Sequence, residues 1–178
     1  MIKLIFASTP KGIIGKDGNL PWPPLKGELK RFKELTTGSI VVMGRTTFNS
    51  LPKGPLPDRY NFVLTNNLTL SDRLKSVIFN FKNRKTKTRL KFGTFKTIYD
   101  EYMNKYSEDM FIIGGGSIYR QYESYCDEMI WTKVETYYPG DTLFVPRFDM
   151  WELKDEEKYD EYSILFFHKN YAKKIYKK

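Results

Sequence analysis

The stretch MFIIGGGSIYRQY (residues 110–122) joins an apolar run to a helix-like pattern through three consecutive glycines. The run is continuous rather than alternating, which is typical of a strand buried on both faces of a mostly parallel sheet. Gly114 to Gly116 would let backbone amides approach an anion closely, and Ser117 would open a helix whose N-terminus carries partial positive charge. The stretch therefore predicts a strand, an anion-binding turn and a helix, which form one unit of an α/β layer fold.

Apolar, β-branched-rich runs recur along the chain and predict further strands. The predicted strands cover residues 2–8, 39–44, 61–66, 76–81, 110–115, 128–138 and 162–171. Helices are predicted between them, and the strongest, over residues 94–109, carries apolar side chains at the i, i+3, i+4, i+7 spacing. The last two strands have no helix between them, so we expect them to pair antiparallel at an edge of the sheet. In such a sheet the ligand site lies at the carboxyl ends of the strands.

Length and composition indicate a single cytoplasmic domain. A chain of 178 residues can form one hydrophobic core, and no apolar run approaches the roughly 20 residues that span a bilayer. The N-terminus lacks the pattern of a signal peptide. Cys126 is the only cysteine, so we expect neither an internal disulfide nor a metal site. We expect one domain over residues 1–178 that ends in a basic tail (171–178), with no fused second enzyme and no membrane partner.

The formal net charge of +9 makes nucleic acid a candidate partner. Much of the excess lies in residues 81–92 and in the C-terminal segment 169–178. Neither segment matches a helix-turn-helix, zinc-finger or RNP pattern, so we interpret them as a solvated loop and a solvated tail. The basic balance would also help to attract a polyanionic small ligand.

A second turn with phosphate-binding features lies in the stretch IVVMGRTTFNSLP (residues 40–52). Gly44 would permit a tight turn, Arg45 would offer a permanent forked cation, and Thr46 would cap the short helix that follows. Two such turns in one small domain indicate a ligand with a pyrophosphate. The glycines form neither a Rossmann fingerprint nor a P-loop, which leaves a dinucleotide held in another way.

An acidic residue, Glu28, stands at an unexpected place in the stretch PPLKGELKRF. If this stretch opens an amphipathic helix, Leu25, Leu29 and Phe32 form its apolar stripe, and the same spacing draws the carboxylate toward that stripe. Glu28 is then either a solvated acid near a helix N-terminus or a carboxylate at the rim of an apolar pocket. In the pocket it would pair with two parallel N–H donors of a flat heterocycle. Arg59 likewise is either a surface charge or a bidentate clamp for a carboxylate.

Six segments, in their order and spacing, resemble the dihydrofolate reductase family. They are GIIGKDGNLPW (12–22), ELKRF (28–32), VVMGRTTFNSLP (41–52), PLPDR (55–59), IIGGGSIY (112–119) and WTKV (131–134). The similarity runs from Ile2 through the GDT of residues 140–142, and LPWPPL, with its extra residue before the acid, is most similar to animal-type members. The resemblance implies an α/β fold with a central, mostly parallel β-sheet of about eight strands, an antiparallel C-terminal edge and helices on both faces.

The resemblance also implies an activity, which antifolates inhibit. Members of the family reduce 7,8-dihydrofolate to 5,6,7,8-tetrahydrofolate: a hydride passes from nicotinamide C4 of NADPH to pterin C6, N5 gains a proton, and the product supports thymidylate synthesis and one-carbon metabolism. Glu28 would be the single acidic residue of the active site and would bind N3 and the 2-amino group of the pterin. Trp22 would hold an ordered water near it, and Thr132 would support the carboxylate. Leu20 would lie at the centre of a mobile loop (15–22) that closes over the nicotinamide.

The remaining assignments that the resemblance implies fall into two groups. Substrate-binding residues would be Ile5, Ala7, Glu28, Leu29, Phe32, Ser50, Leu51, Leu56, Arg59, Ile113, Tyr119 and Thr132. Cofactor-binding residues would be Ala7, Ile14, Gly15, Gly18, Asn19, Leu20, Gly44, Arg45, Thr46, Thr47, Leu64, Thr65, Asn66, Ile113, Gly115, Gly116, Ser117, Ile118 and Tyr119. Arg59 would clamp the glutamate α-carboxylate of the substrate, the glycine turns would cradle the pyrophosphate, and residues 64–66 would hold the adenosine end.

The sequence departs from the family pattern at one position, and two alternative functions stay open. Ser117 stands where some members have an arginine that reaches the 2′-phosphate of NADPH, so Arg45 or a lysine of residues 82–91 would supply that charge. A reductase of the riboflavin pathway would share the fold but would need neither a Glu28-type pocket nor an Arg59-type clamp. The other alternative is an inactive, reductase-like protein that binds nucleic acid through its basic surface. We expect dihydrofolate and NADPH as ligands, and a monomer.

Overall fold

The computed structural model describes residues 1–170, and the basic tail predicted over 171–178 lies outside this range. The strands within it are β1 (Ile2–Ser8), β2 (Ile13–Gly15), β3 (Ile40–Gly44), β4 (Tyr60–Leu64), β5 (Arg89–Gly93), β6 (Met110–Gly114), β7 (Glu128–Val134), β8 (Thr142–Leu143), β9 (Trp151–Lys158) and β10 (Tyr162–Lys169). The α-helices are α1 (Glu28–Thr36), α2 (Arg45–Ser50), α3 (Leu70–Lys82), α4 (Phe95–Lys105) and α5 (Gly116–Tyr122). Two short 3-10 helices cover Glu123–Tyr125 and Phe148–Met150.

Eight of the described strands form one sheet, in the order β5-β4-β3-β6-β1-β7-β10-β9. Neighbours from β5 to β7 are parallel, whereas β10 pairs antiparallel with both β7 and β9. This arrangement confirms the mostly parallel sheet of about eight strands with an antiparallel C-terminal edge. The edge strand itself, β9, was not predicted, because WELKDEEK is exposed along most of its length and lacks an apolar run.

The core lies on both faces of the sheet because successive strand residues point to opposite sides. In β1, Leu4 belongs to one buried cluster and Ile5 to the other. α4, which confirms the strongest helix prediction, packs Ile98 on the first face, and α5 packs Tyr119 there. α1 packs Phe32 on the second face. Helices therefore flank both faces, as the sequence predicted.

The strand predicted over residues 76–81 is wrong, because these residues belong to α3. Thr69 starts this helix with a capping box: its side chain accepts from the Asp72 backbone N–H, and the Asp72 carboxylate accepts from the Thr69 backbone N–H. The apolar residues of the segment follow the helical period of a helix that begins at Leu70. A short apolar run cannot by itself distinguish a strand from part of a helix.

The solvated loop predicted over residues 81–92 is also wrong in part, because β5 begins at Arg89. Leu90 and Phe92 are buried, while Lys91 between them is half-buried. This strand alternates apolar and basic side chains. Because of the basic residues, it was predicted as part of the lysine-rich loop.

α1 begins at Glu28, later than the sequence suggested. Gly27 has a left-handed conformation (φ 88°) that interrupts the chain just before the helix. Leu25 is buried but precedes α1, and Leu29 is 60% exposed. The predicted stripe is therefore wrong at Leu29, which faces solvent, and Leu25 packs into the core from outside the helix. Phe32 packs against the core from α1, as expected.

Neither a membrane-spanning helix nor a metal-binding cluster is found among the described residues. Within residues 1–170, no helix combines the length and apolar character needed to cross a bilayer. In the same range, no group of three or more His, Cys, Asp or Glu side chains is arranged to hold a metal ion.

Candidate active site

The fold brings the two glycine turns together at the carboxyl edge of the sheet. β3 ends at Gly44 and β6 ends at Gly114, and these two strands are parallel neighbours. A Cβ atom added to Gly44 would lie 3.0 Å from Ile118 Cγ1, and one added to Gly115 would lie 3.1 Å from Thr47 Oγ1. Gly44 itself has ordinary extended dihedral angles (φ −74°), so it allows this close approach and does not make the predicted tight turn.

Each turn leads into a helix whose first backbone N–H groups face no capping side chain. α2 begins at Arg45 and α5 begins at Gly116, each after a glycine that supplies no side-chain hydrogen bond. The prediction of Thr46 as the cap is therefore wrong, because it lies inside α2, and α5 opens one residue before Ser117. First-turn N–H groups that lack a capping acceptor suit an anionic ligand.

Arg45, the cation beside these turns, is already paired inside the protein. Its guanidinium donates to both carboxylate oxygens of Asp72 (2.8 and 2.7 Å) and to Thr65 Oγ1 (3.1 Å). It also lies over the Phe92 ring, 5.3 Å from the centroid. The guanidinium holds the pKa of the buried Asp72 carboxyl well below its usual range. α3 therefore supplies a buried counter-ion to Arg45 beside the glycine turns, which the sequence pattern did not predict.

The lysine-rich segment lies at the other end of the sheet. α3 runs antiparallel to β5: Asp72 in its first turn binds Arg45, which follows the Gly44 turn, whereas Asn80 exchanges two hydrogen bonds with the backbone of Leu90 (2.9 and 3.0 Å). Residues 82–87 therefore lie near the amino ends of the parallel strands. Lys91 is paired with an acidic residue of α4. This geometry does not support a lysine of this segment as a cation for the 2′-phosphate, and Arg45 is left as the candidate.

Glu28 faces an apolar cleft between α1 and the sheet. Burial raises the pKa of its carboxyl, and a hydrogen bond from Thr132 offsets part of that rise. No cation of the described residues contributes to this pKa. The cleft is lined by Ile5, Glu28, Arg31, Phe32, Leu35, Ile130, Thr132 and Ile164. The carboxylate therefore lies in an apolar setting without an ionic partner, and the interpretation of a fully solvated helix-terminal acid is wrong.

Half of these lining residues were missed by the sequence analysis. Leu35 follows Phe32 by three positions on α1, so helical spacing could have found it. Ile130 and Ile164 enter the cleft through strand pairing, because Ile130 is the partner of Ile5 and Ile164 is the partner of Thr132. That pairing cannot be read from a single sequence.

Arg31 is the least expected member of the cleft. It lies three positions after Glu28 on α1, which is the spacing that could have revealed it. Its Nη2 donates to Glu157 on β9 at 2.5 Å, and its Nε is buried without a hydrogen-bond partner in the described chain. Because an unpaired buried N–H is costly, this donor suits a water or a ligand atom in the cleft.

Arg59 is buried, with only 3% of its surface exposed, so the interpretation as a surface charge is wrong. Its Nε donates to the Pro57 carbonyl and its Nη1 to Thr36 Oγ1, both at 2.9 Å. Burial lowers the pKa of the guanidinium, and Asp58 offsets part of this effect. The neutral acceptors orient the side chain without cancelling its charge, and the remaining N–H donors suit a carboxylate.

The predicted mobile loop, residues 15–22, contains a tight hairpin. Asp17 and Gly18 both have positive φ (50° and 78°), as the two central residues of a type I′ turn do. Asp141 accepts a hydrogen bond from the Asp17 backbone N–H at 2.7 Å, which ties the hairpin to the strand β8 region. Leu20 is 51% exposed beyond the hairpin. Closure of this loop over a ligand stays a prediction.

The predicted site residues differ in exposure, and their roles stay predictions. Tyr119 is buried, and its hydroxyl donates to the Ile5 carbonyl at 3.0 Å. Trp22 is buried against Tyr138. Other buried members are Gly15, Leu64, Gly116 and Thr132; half-buried ones are Ala7, Ile14, Phe32, Gly44, Arg45, Thr47, Leu51, Leu56, Thr65, Ile113, Gly115 and Ile118; exposed ones are Gly18, Asn19, Leu29, Thr46, Ser50, Asn66 and Ser117.

Comparison with known proteins decides the family. A model of the family described as dihydrofolate reductase matches residues 1–173. The chain belongs to the dihydrofolate reductase family. Its relatives include the dihydrofolate reductase of Bacillus subtilis, which is 32% identical with 98% of each chain covered, and the type 8 dihydrofolate reductase of Escherichia coli, which is 35% identical with 80% of each covered. A solved dihydrofolate reductase from Enterococcus faecalis, complexed with NADP(H) and RAB-propyl, matches with a TM-score of 0.77 at 28% identity, over 96% of each chain.

Membership of the dihydrofolate reductase family confirms both the resemblance and the fold class inferred from the sequence. A riboflavin-pathway reductase and an inactive nucleic-acid-binding protein are not favoured, because the matched relatives are named dihydrofolate reductases over nearly the whole chain. The roles of the individual residues stay predictions.

Proposed function

We propose that this chain reduces 7,8-dihydrofolate to 5,6,7,8-tetrahydrofolate with NADPH, an oxidoreductase reaction that supports thymidylate synthesis and one-carbon metabolism. The observation that carries the proposal is Glu28, a carboxylate without an ionic partner that faces an apolar cleft beside Thr132. A pterin presents two parallel N–H donors, at N3 and at its 2-amino group. These donors match the two oxygens of a carboxylate in spacing and in charge.

The walls of the cleft would orient the pterin and exclude water. Ile5 and Phe32 line the same cleft as Glu28, so a flat ring held by the carboxylate contacts apolar side chains. Removing water from this space strengthens the interaction between the carboxylate and the ring, because the local dielectric falls.

The turns after β3 and β6 fit the phosphates of NADPH. The two turns approach each other closely, both following helices lack a capping side chain, and Arg45 lies beside them with 37% of its side chain exposed. When bound there, NADPH would supply the hydride for pterin C6. We place the nicotinamide near Ala7 of β1, Ile14 of β2 and Tyr119 of α5.

Reduction also requires a proton at pterin N5, and Glu28 is placed to hold one. It is the only carboxylate among the described residues that line the cleft. Because its pKa is raised, a larger fraction of the carboxyl is protonated near neutral pH, which suits an acid catalyst. The carboxyl binds the opposite edge of the pterin from N5, so the proton would pass through the ring edge or an ordered water. Trp22 and the unpaired Nε of Arg31 are candidates to hold that water.

Arg59 would bind the glutamate tail of the substrate. The hydrogen bonds of this buried cation go to neutral acceptors, and Asp58 offsets only part of the effect of burial, so a ligand carboxylate would complete the pairing. A bidentate pair with the α-carboxylate would fix the tail and therefore the position of the ring.

The proposal is tested by following the loss of NADPH absorbance when the purified protein is mixed with dihydrofolate. We expect turnover by the wild type and a loss of about 10²- to 10⁴-fold in kcat for Glu28→Gln, the range that general acid–base catalysis contributes. Glu34→Gln is the matched control, because Glu34 is an exposed acid on the same helix and, within residues 1–170, pairs only with Lys30. Absence of wild-type turnover between about pH 5 and 8 would contradict the function, and normal turnover by Glu28→Gln would remove that residue from it.

We further propose that the chain acts as a monomer in the cytoplasm. The cytoplasmic assignment is supported by the cysteine content, since the only cysteine, Cys126, is fully buried and fits a reducing compartment. Sedimentation equilibrium of the purified protein would measure the oligomeric state directly.

A further inference from the structure

α3 packs against the rest of the protein with a mostly polar face inward. Asp72 binds Arg45, and Asn80 bonds the backbone of Leu90 on the edge strand β5. Five of the six apolar side chains of the helix lie on its outer face and are 52–72% exposed: Leu70, Leu74, Val77, Ile78 and Phe81. The sixth, Phe79, is half-buried and packs against the core. A surface helix normally does the reverse and buries its apolar face.

These five residues, here called the α3 stripe, form one continuous surface. Their positions follow the i, i+4, i+7, i+8, i+11 spacing, which places them on a single face of the helix. The inward hydrogen bonds hold the helix at both ends, at Asp72 and at Asn80, so the helix cannot turn the stripe inward without breaking them. A contiguous exposed apolar patch of this kind marks an interaction surface.

The charges around the α3 stripe are positive. Arg73, Lys75 and Lys82 flank it on the helix, and exposed Arg84, Lys85 and Lys87 follow in the next turn. The Arg84 guanidinium lies over the Phe81 ring, 4.8 Å from its centroid. The only acidic residue of α3, Asp72, is buried, so no exposed acid on the helix offsets these cations.

We propose that the α3 stripe docks on a lipid surface that carries anionic headgroups. Helices that lie in a membrane interface combine an apolar face with flanking lysine and arginine, and they insert the apolar side chains at the level of the headgroups. The contact is peripheral and needs no spanning helix. The sequence-based expectation of no membrane partner rested on the absence of a spanning run, which does not bear on a helix that lies along the surface.

A protein partner fits the α3 stripe less well than a lipid surface does. Two copies of the chain would bring two sets of like charges together around a pair of stripes, which is unfavourable. A standard protein interface uses about 20–30 residues on each side, and a coiled-coil partner needs about three or four heptads. The stripe has five apolar residues on a helix of 13 residues.

The test is flotation of the full chain with vesicles of phosphatidylcholine alone or of phosphatidylcholine mixed with phosphatidylserine. We expect binding to the mixed vesicles only, and weaker binding as salt is raised. The double variant Leu74→Gln/Val77→Gln keeps every charge and should lose at least about tenfold in vesicle affinity. Met103→Gln is the matched control, because Met103 is 61% exposed on α4 and should bind like the wild type. All variants should retain reductase turnover, since no stripe residue belongs to the active site.

Three outcomes overturn the proposal. One is the absence of binding to mixed vesicles. Another is binding that the double variant retains, which would assign it to basic charge alone. The third is a wild-type dimer that strengthens with salt and is lost in the double variant, without vesicle binding, which would assign the α3 stripe to a second copy. Flotation and turnover are separate measurements, so failure of one leaves the other unaffected.

Discussion

The two ends of the ligand cleft treat buried charge in opposite ways. At the pterin end, Glu28 and Arg59 are held by neutral hydroxyl and carbonyl groups. At the phosphate end, Arg45 and Asp72 bind each other through two hydrogen bonds. Within residues 1–170, the charges of Glu28 and Arg59 lack an ionic hydrogen-bond partner until a ligand binds. The charges of Arg45 and Asp72 neutralise each other within the folded protein. Under the proposed function, Glu28 and Arg59 would recognise the substrate, whereas Asp72 positions Arg45.

The directions of the pKa shifts express the same contrast. Burial raises the pKa of Glu28 and lowers the pKa of Arg59, so the environment favours the neutral form of each. The ion pair lowers the pKa of Asp72 and raises the pKa of Arg45, so it favours the charged form of each. A ligand that completes the pterin end should reverse the first pair of shifts and leave the second pair nearly unchanged.

Arg59→Gln should have the largest effect in this comparison. The variant lacks the guanidinium that would bind the substrate carboxylate. Its KM for dihydrofolate should rise by about 10- to 100-fold, because a charge-assisted hydrogen-bonded pair contributes about 1.5–3 kcal/mol. The change in kcat should be small, since the residue lies away from the reacting atoms. Steady-state kinetics measures both constants.

A pterin substrate without a glutamate tail provides the control for Arg59→Gln. The variant should reduce this substrate as well as the wild type does, because the substrate has no carboxylate for the guanidinium to bind. An equal loss with both substrates would show that Arg59 is structural, and the comparison between the two ends would then break down.

Asp72→Asn should act on stability. The variant should lose about 2 kcal/mol at neutral pH, the scale of hydrogen bonds to a charged group, which corresponds to a fall in Tm of about 4–8 °C. The folded pKa of Asp72 lies below the ordinary value of 3.8, so its contribution is fully present above that value and is lost as pH falls below it. The stability difference between variant and wild type should therefore shrink in acid.

Thermal unfolding from neutral to acid pH measures this effect of Asp72. Asp100→Asn is the matched control, because Asp100 is an exposed acid on α4 and its replacement should leave Tm nearly unchanged. A stability loss for Asp72→Asn that stays constant through acid pH would exclude the ion pair as its source.

Local sequence patterns predicted much of the fold, and their failures share one cause. Continuous apolar runs identified β1, β3, β4 and β6, which are buried on both faces. α3 was mistaken for a strand over 76–81 because its apolar face points to solvent, against the usual rule. β5 was missed because half-buried basic residues alternate with its apolar ones, and β9 because most of its residues are charged and exposed. Helix orientation and strand exposure depend on tertiary contacts that one sequence does not display.

The same limit applies to the candidate site. Glu28 and the two glycine turns could be predicted from short stretches of sequence, because residue spacing and glycine content indicate them. The ion pair between Arg45 and Asp72 could not, because it forms only when α3 docks beside α2. Arg31 belongs between these cases: helical spacing places it near Glu28, but its unpaired Nε depends on the contact with β9.

Glu28→Gln should have the smallest effect, and the opposite sign to Asp72→Asn, when the ligand-free protein is unfolded by heat. The folded pKa of Glu28 lies above its ordinary value, so the wild type loses stability as pH rises through that folded pKa. Glutamine does not ionise and should escape this loss. We expect the variant to have a higher Tm than the wild type near about pH 8, and almost the same Tm in acid. A variant less stable than the wild type at neutral pH would mean that Glu28 is already satisfied inside the protein, as Asp72 is. Glu28 would then already have favourable partners in the ligand-free protein. It would lose those partners when the pterin binds, so the contrast between the two ends of the cleft would not hold.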